Sequence, residues 1–295
     1  MKRLSKIFVN LLAILMVATC ALSLTACSEK IKRVELNVQV YDYEDGEFLS
    51  SADSKMAIDL YAHLAPKTCD AMVKYINDGY YNNALIYKMN SQIMFGDLKV
   101  DGDAIEISED GKVTNIVLND IKPTLPGEFE LGGTTGSNLT HKRGSVGLWR
   151  SYYKSSGSFD TSSATNSGRA TWFMPTETMT IYNDCFCVFG MIDFSDSVTE
   201  DLFEDLEDVF SIGDNYTTFT IYYTGEYDAS KPNENYGLEF HCVTKDYYNQ
   251  MDEAELDQIF EAEGKQLVCY NKYDIKVANN ADGKLGAIIK TANVK

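Results

Sequence analysis

Met56-Ala57-Ile58-Asp59-Leu60-Tyr61, followed by Pro66 to Asp78 and then by Tyr80 to Met89, changes its apolar period twice in one short run. The first segment reads as a strand. From Pro66 the spacing turns helical: Thr68 is a candidate N-cap, and Met72, Tyr75 and Ile76 fall on one face. Gly79 suits the left-handed position just past a helix end. Tyr80 to Met89 then reads as strand again, so the stretch is a strand–helix–strand unit with an apolar helix face.

Working outward, Val34 to Val40 alternates apolar and polar residues, as a half-buried strand does. The acidic, serine-rich stretch Asp42 to Ser54 is the loop that follows it. Lys99 to Pro123 is polar with weak periodicity and reads as a hairpin or loop insertion. Leu131 to Ser137 and Tyr152 to Gly168 are rich in Gly, Ser and Thr and read as loops. Trp172-Phe173-Met174 and Cys187-Val188-Phe189 are short buried-strand candidates. In Glu200 to Phe210, Leu202, Phe203, Leu206, Val209 and Phe210 form one apolar stripe opposite a run of Asp and Glu, a helix with a core face and a solvated face. Phe219 to Tyr223 is a strand and Glu253 to Glu263 a second acidic helix. Tyr273 to Val277 and Leu285 to Ile289 flank Asn279 to Gly283 as a terminal hairpin.

The N-terminus carries Lys2, Arg3 and Lys6, then an apolar segment from Ile7 to Ala18, then Leu24-Thr25-Ala26-Cys27. Basic, apolar and small residues in that order form a secretory signal. The apolar run is short of the ~20 residues that span a bilayer as a helix. Cysteine at the cut site resembles the lipobox of bacterial lipoproteins, which implies lipid on Cys27 and an extracytoplasmic, membrane-anchored protein of a bacterium. Residues 1–26 are then the signal and 27–33 the tether.

Of 295 residues, 44% are hydrophobic and 24% charged, a globular composition. The formal charge is −18, and removing the three cations of the signal takes it to −21. Such a surface repels phosphate backbones, which argues against nucleic-acid binding. Past Cys27 the cysteines are Cys69, Cys185, Cys187, Cys242 and Cys269. Their scatter does not read as a disulfide framework, and buried, inert thiols are expected. Alternation at Cys185-Phe186-Cys187 would turn both thiols to one face. Asp97, Asp101 and Asp103 lack the spacing and the terminal Glu of a calcium loop, so no metal is expected. The oligomeric state has no signature in the sequence.

Several segments, in order, resemble the cyclophilin family of peptidyl-prolyl isomerases. Ile58-Asp59-Leu60-Tyr61, Ala65-Pro66-Lys67-Thr68 and Tyr75-Ile76-Asn77-Asp78-Gly79-Tyr80-Tyr81 resemble the family's first strand–helix–strand unit. Gly96-Asp97 resembles the end of its Gln-Gly-Gly-Asp turn. Gly127-Glu128-Phe129 with His141-Lys142-Arg143-Gly144-Ser145-Val146 resembles its Glu-Phe … His-x-Arg-Gly-Thr-Val stretch. Thr171-Trp172-Phe173-Met174 and Val188-Phe189-Gly190 resemble two of its strands. The match covers roughly Val34 to Ile192. It implies a mainly β chain: a closed antiparallel β-barrel capped by two helices over residues 34–225, with a C-terminal α+β elaboration over 226–295 whose last strand is a candidate to return to the barrel.

The resemblance also implies an activity. An X–Pro bond favours trans by only ~0.5–1 kcal/mol, yet rotation crosses a barrier of ~18–20 kcal/mol. Family members hold the proline ring in an apolar pocket while an arginine and a glutamine steady the twisted amide. No cofactor takes part. Carried over by position, Lys88 stands for the catalytic arginine and Phe95 for the glutamine. Phe173, Met94 and Leu148 keep the apolar pocket, Trp149 replaces a small residue, and Ile181 and Phe186 take the flanking positions. His141 is expected to brace a loop. Lysine lacks the planar fork of arginine, which predicts a weak enzyme. The implied function is a lipid-anchored prolyl isomerase assisting the folding of proline-containing exported polypeptides. The alternative is a catalytically inactive cyclophilin-like lipoprotein that binds peptides or makes surface contacts.

Overall fold

The computed structural model describes residues 31–129, 139–150, 153–155, 158–160, 165–225, 238–251, 261–262, 265–267, 272–280 and 282–295. The signal, Cys27, the loop Leu131 to Ser137, Cys269 and most of the acidic segment Glu253 to Glu263 lie outside them. Within that segment Glu261–Ala262 is a short strand rather than helix, paired with Lys265–Leu267 in a small four-stranded sheet.

Fourteen strands matter for the site. They are β1 (Lys32–Asp42), β2 (Lys55–Leu60), β3 (Ala84–Leu85), β4 (Tyr87–Met89), β5 (Gln92–Phe95), β6 (Leu98–Val100), β7 (Ile116–Leu118), β8 (Ser145–Leu148), β9 (Trp172–Pro175), β10 (Cys187–Ile192), β11 (Tyr216–Gly225), β12 (Leu238–Thr244), β13 (Lys272–Ala278) and β14 (Ala287–Val294). The helices are α1 (Pro66–Asn77), α2 (Ser197–Val209) and the single turn α3 (Lys245–Tyr248). None of the described helices is long and apolar enough to cross a membrane.

Antiparallel pairing runs β14–β1–β2–β10–β8–β9–β5–β4, and β3 then pairs back to β14. Because β3 and β4 are successive parts of one run, this ring is a barrel. Its closure uses the last strand of the chain, β14. In β1 the alternation expected from sequence holds: Val34, Leu36, Val38 and Val40 are each at most 1% exposed. Met72 and Ile76 of α1 and Leu202, Phe203 and Leu206 of α2 join the same core as β1, β8 and β10, so both helices cap the barrel.

The start of α1 differs from expectation. Ala65 is its N-cap with no side-chain cap, and Thr68 lies inside the first turn. The exposed donors of that turn are met from outside. Glu128 is buried, and its carboxylate accepts from the Lys67 and Thr68 backbone N–H groups at 3.0 and 2.7 Å. A carboxylate there also suits the positive end of the helix dipole. At the other end Gly79 takes φ +72°, as its position required.

The terminal hairpin forms only at its tip, where Asn279 pairs with Leu285 and the Gly286 N–H donates to the Ala278 carbonyl at 2.7 Å. β13 and β14 pair along the same edge of one strand, Tyr87 with Val277 and Leu85 with Ile288. The short hairpin between them leaves that edge. Along the opposite edge run β5 and β6, again end to end. The central strand therefore carries two sheets. Through β5 and β14 it belongs to the barrel. Through β13 and β6 it belongs to a second layer, β12–β11–β13 on one side and β6–β7 on the other. Val113 N–H donates to the Cys242 carbonyl at 2.8 Å, joining the two sides of that layer.

Alternation sends Ala84 and Ile86 to the barrel core and Leu85 and Tyr87 to a second core with Leu98, Ile116, Phe219, Ile221, Ile275 and Leu285. All four central residues are at most 1% exposed. A strand buried on both faces reads as a continuous apolar run, which is why Ala84-Leu85-Ile86-Tyr87 shows no alternation.

Candidate functional site

The face of β5 and β9 that is outside the barrel continues into this second core, and there the aromatic side chains gather. Phe173 on β9 lies opposite Met94 on β5 and Gly147 on β8. A β-carbon at Gly147 would stand 2.4 Å from the Phe173 ring, so the absence of a side chain there lets the ring lie against the strand. His141 stacks on Phe173 with centroids 5.5 Å apart and planes 5° apart. Phe186, Trp149 and Tyr182 meet it edge-on at 5.6, 5.8 and 5.9 Å. Edge-to-face contacts at these distances contribute roughly 0.5–1.5 kcal/mol each beyond area burial. Phe173 is 0% exposed and Met94 1%.

Polar groups frame the rings. Gln92, on the same face of β5 as Met94, donates from Nε2 to Tyr182 Oη at 2.8 Å and to Met179 Sδ at 3.6 Å. The Asn183 side-chain oxygen accepts from the His141 backbone N–H at 2.9 Å and lies 3.3 Å from its Nδ1. That contact braces the loop, as expected. Burial lowers the His141 imidazole to about 4, so it is neutral near pH 7. The guanidinium in this cluster belongs to Arg150. It is buried, donates from Nε to the Cys185 carbonyl at 2.6 Å and sits 4.9 Å from the Phe186 centroid.

Four of the carried-over residues thus converge: Phe173, Met94, Trp149 and Phe186. The other four do not. Tyr87 is opposite Met94 and Lys88 is opposite Ile93, a barrel-core residue. Lys88 therefore faces away from Phe173, among Lys276, Glu207, Tyr216 and Glu177, and burial with the neighbouring Lys276 lowers its pKa. Phe95 and Leu148 also point inward, both opposite Trp172 in the barrel core. Ile181 is 73% exposed on a 3-10 turn, and its neighbour Tyr182 covers Phe173 instead. The residue of this hairpin that does face the pocket side is Tyr87, whose hydroxyl donates to both Asp97 oxygens at 2.9 and 3.0 Å. Burial pushes the Asp97 carboxyl up to about 6.

The thiols follow the inert reading for the described residues, where Cys69, Cys185, Cys187 and Cys242 are buried and free. Burial raises Cys69 and Cys242 to about 12. Cys185 and Cys187 do not share a face: Cys185 joins the second core and Cys187 the barrel core, because β10 begins only at Cys187.

Sequence reasoning missed Tyr182, Gln92, Arg150 and Tyr87. Tyr182 and Phe186, with ring centroids 4.8 Å apart, carry the one usable signal, their i, i+4 spacing across a turn. Gln92 carried no signal of its own; it joins the cluster because side chains two apart on a strand share a face, which sets it beside Met94.

Two crystal structures of a cyclophilin type peptidyl-prolyl cis-trans isomerase from Cryptosporidium parvum are similar to this chain. The first, in the presence of the dipeptide ala-pro, is 12% identical over 72% of this chain and 95% of that one, with a TM-score of 0.35. The second is 13% identical over 73% and 94%, also at 0.35. No curated protein matches the chain. The family model "Cyclophilin type peptidyl-prolyl cis-trans isomerase/CLD" matches residues 48–222, more than half of the chain. That span contains strands β2 to β10 and every residue of the aromatic cluster, and the chain belongs to the cyclophilin-type peptidyl-prolyl cis-trans isomerase family.

Proposed function

We propose that this protein is a lipid-anchored isomerase, held outside the cytoplasm through Cys27, that turns X–Pro bonds in exported polypeptides at a low rate. The observation that carries this reading is the convergence of Phe173, Met94, Trp149 and Phe186 on one outer face of the barrel. Such a cluster offers a proline ring an apolar seat. Rotation also needs a donor to the prolyl amide, and its transition-state stabilisation comes from preorganised hydrogen bonds. Lys88 points elsewhere, and the rings of Trp149, Tyr182 and Phe186 already fill the seat. Both facts argue for slow turnover. Exported chains arrive unfolded, and uncatalysed prolyl isomerisation takes tens of seconds, so even a slow enzyme beside the membrane is useful.

A second reading is favoured by the placement of Lys88 away from Phe173: a module that captures proline-containing segments and does not turn them over. Exchange NMR on an Ala-Pro tetrapeptide separates the two. The isomerase reading expects cis–trans exchange above the buffer rate at equimolar full-length chain, lost in Phe173→Ala. Exchange at the buffer rate together with peptide-induced shifts around Phe173 would leave only the capture reading. For the anchor, labelled fatty acid should enter the wild-type chain and not Cys27→Ser; label in neither removes the lipoprotein assignment.

A further inference from the structure

Beside Phe173, two wholly buried polar atoms have no hydrogen-bond partner: Gln92 Oε1 and His141 Nε2. Buried amides and imidazoles are ordinarily satisfied, so each orphan atom calls for an explanation. Both residues reach the aromatic cluster, His141 through Phe173 and Gln92 through Tyr182. His141 stacks on Phe173, and Gln92 is two residues from Met94, the cross-strand neighbour of Phe173. The one strong bond Gln92 makes runs to Tyr182 Oη, on the turn Thr180–Tyr182. That turn lies at the surface: Ile181 is 73% exposed, and Tyr182 is itself partly exposed while Phe173 and Gln92 are buried.

We infer that Tyr182 occupies the substrate's place in the resting chain, and that Gln92 is the side chain that binds substrate once Tyr182 lifts away. The inference rests on the isomerase reading and gives it a polar contact that Phe95, inside the barrel, does not supply. The Tyr182 ring covers Phe173 as a proline ring would, and its hydroxyl takes the Gln92 Nε2 donor that a peptide carbonyl would take. With Tyr182 displaced, Gln92 presents both halves of its amide. Nε2 donates to a backbone carbonyl beside the proline, and Oε1 accepts an N–H from a flanking residue, since proline has none. The site therefore selects a peptide with an apolar ring flanked by one free carbonyl and one free N–H.

The test uses the full-length chain in detergent and a tetrapeptide, Ala-Ala-Pro-Phe, titrated against amide NMR signals. Tyr182→Phe keeps the ring and removes only the hydroxyl; peptide should bind about fivefold tighter, the factor one neutral hydrogen bond represents. Tyr182→Ala should bind at least tenfold tighter and exchange the peptide faster. Adding Gln92→Leu to Tyr182→Ala should remove most of that gain. Equal affinity in wild type, Tyr182→Phe and Tyr182→Ala, with shifts around Phe173 in all three, would overturn the inference and spare the isomerase reading. A gain in Tyr182→Ala that survives Gln92→Leu would overturn the assignment of Gln92. Absence of shifts around Phe173 in every folded variant would overturn the inference and the isomerase reading together.

Discussion

Acidification should loosen this protein through one histidine. His141 is 0% exposed, its ring lies flat on Phe173, and its Nε2 has no acceptor for a proton's added charge. Burial lowers its pKa from 6.5 to about 4 in the folded chain. Below pH 6.5 the unfolded chain takes up a proton that the folded chain refuses. The stability associated with His141 is therefore complete above pH 6.5 and is lost as pH falls toward 4. With folded and unfolded values of about 4 and 6.5, the loss is about 2 kcal/mol by pH 5 and about 3 kcal/mol by pH 4. Asp97 works in the opposite sense, because its folded value is raised to about 6 and the folded chain gains relative stability as pH falls through it. The comparison must therefore be differential. Urea unfolding of wild type and His141→Gln at pH 7.5 and pH 5 isolates the histidine, since Asp97 is common to both. Wild type should lose about 2 kcal/mol more than the variant. Equal losses would show that the imidazole is not held neutral and that the packing around Phe173 is looser than described.

Other outcomes follow from the geometry. Glu128→Ala leaves the first turn of α1 without its outside acceptor and should cost about 1–2 kcal/mol in urea unfolding. Lys88→Arg combined with Phe95→Gln would restore the family's residue types at barrel-facing positions, so it should not raise prolyl exchange. Phe95→Gln alone should destabilise by about 3 kcal/mol or more, because it replaces a ring packed 5.1 Å from Trp172 with a buried amide. An increased rate in the double variant would refute the assignment of strand faces. A chain stopped at Gly225 lacks β14 and should show no cooperative unfolding; a sharp transition would mean that the barrel closes without it.

The barrel was legible because its signals are local. Val34 to Val40 alternates, Pro66 to Gly79 carries helix spacing and a glycine stop, and the family-like segments appear in order. The pocket was half legible. Phe173, Met94, Trp149 and Phe186 gather on one outer face of the barrel. Lys88 and Phe95 were misread because strand pairing, not residue order, decides which face a side chain takes: Lys88 lies opposite Ile93 and Phe95 opposite Trp172, both in the barrel core. The second layer was not legible at all. Phe219 and Ile221 read as a strand at the end of the barrel region, and Ile275 and Leu285 as arms of a terminal hairpin in the elaboration. Only pairing of β13 with β4, between residues far apart in the chain, shows that their partner is the outer face of the barrel.

The seam between β1 and β14 sets a timetable for biogenesis. Asn37 and Thr291, joined across that seam by a 2.7 Å hydrogen bond, are 254 positions apart. At about 5–20 residues per second, synthesis separates them by roughly 13–50 s. During that interval β1 has only one of its two long neighbours, and an unsealed edge invites pairing with other chains. A nascent chain emerging amino end first thus stays open until its final strand is made, and a holdase that covers β1 over those seconds would raise the yield of sealed molecules.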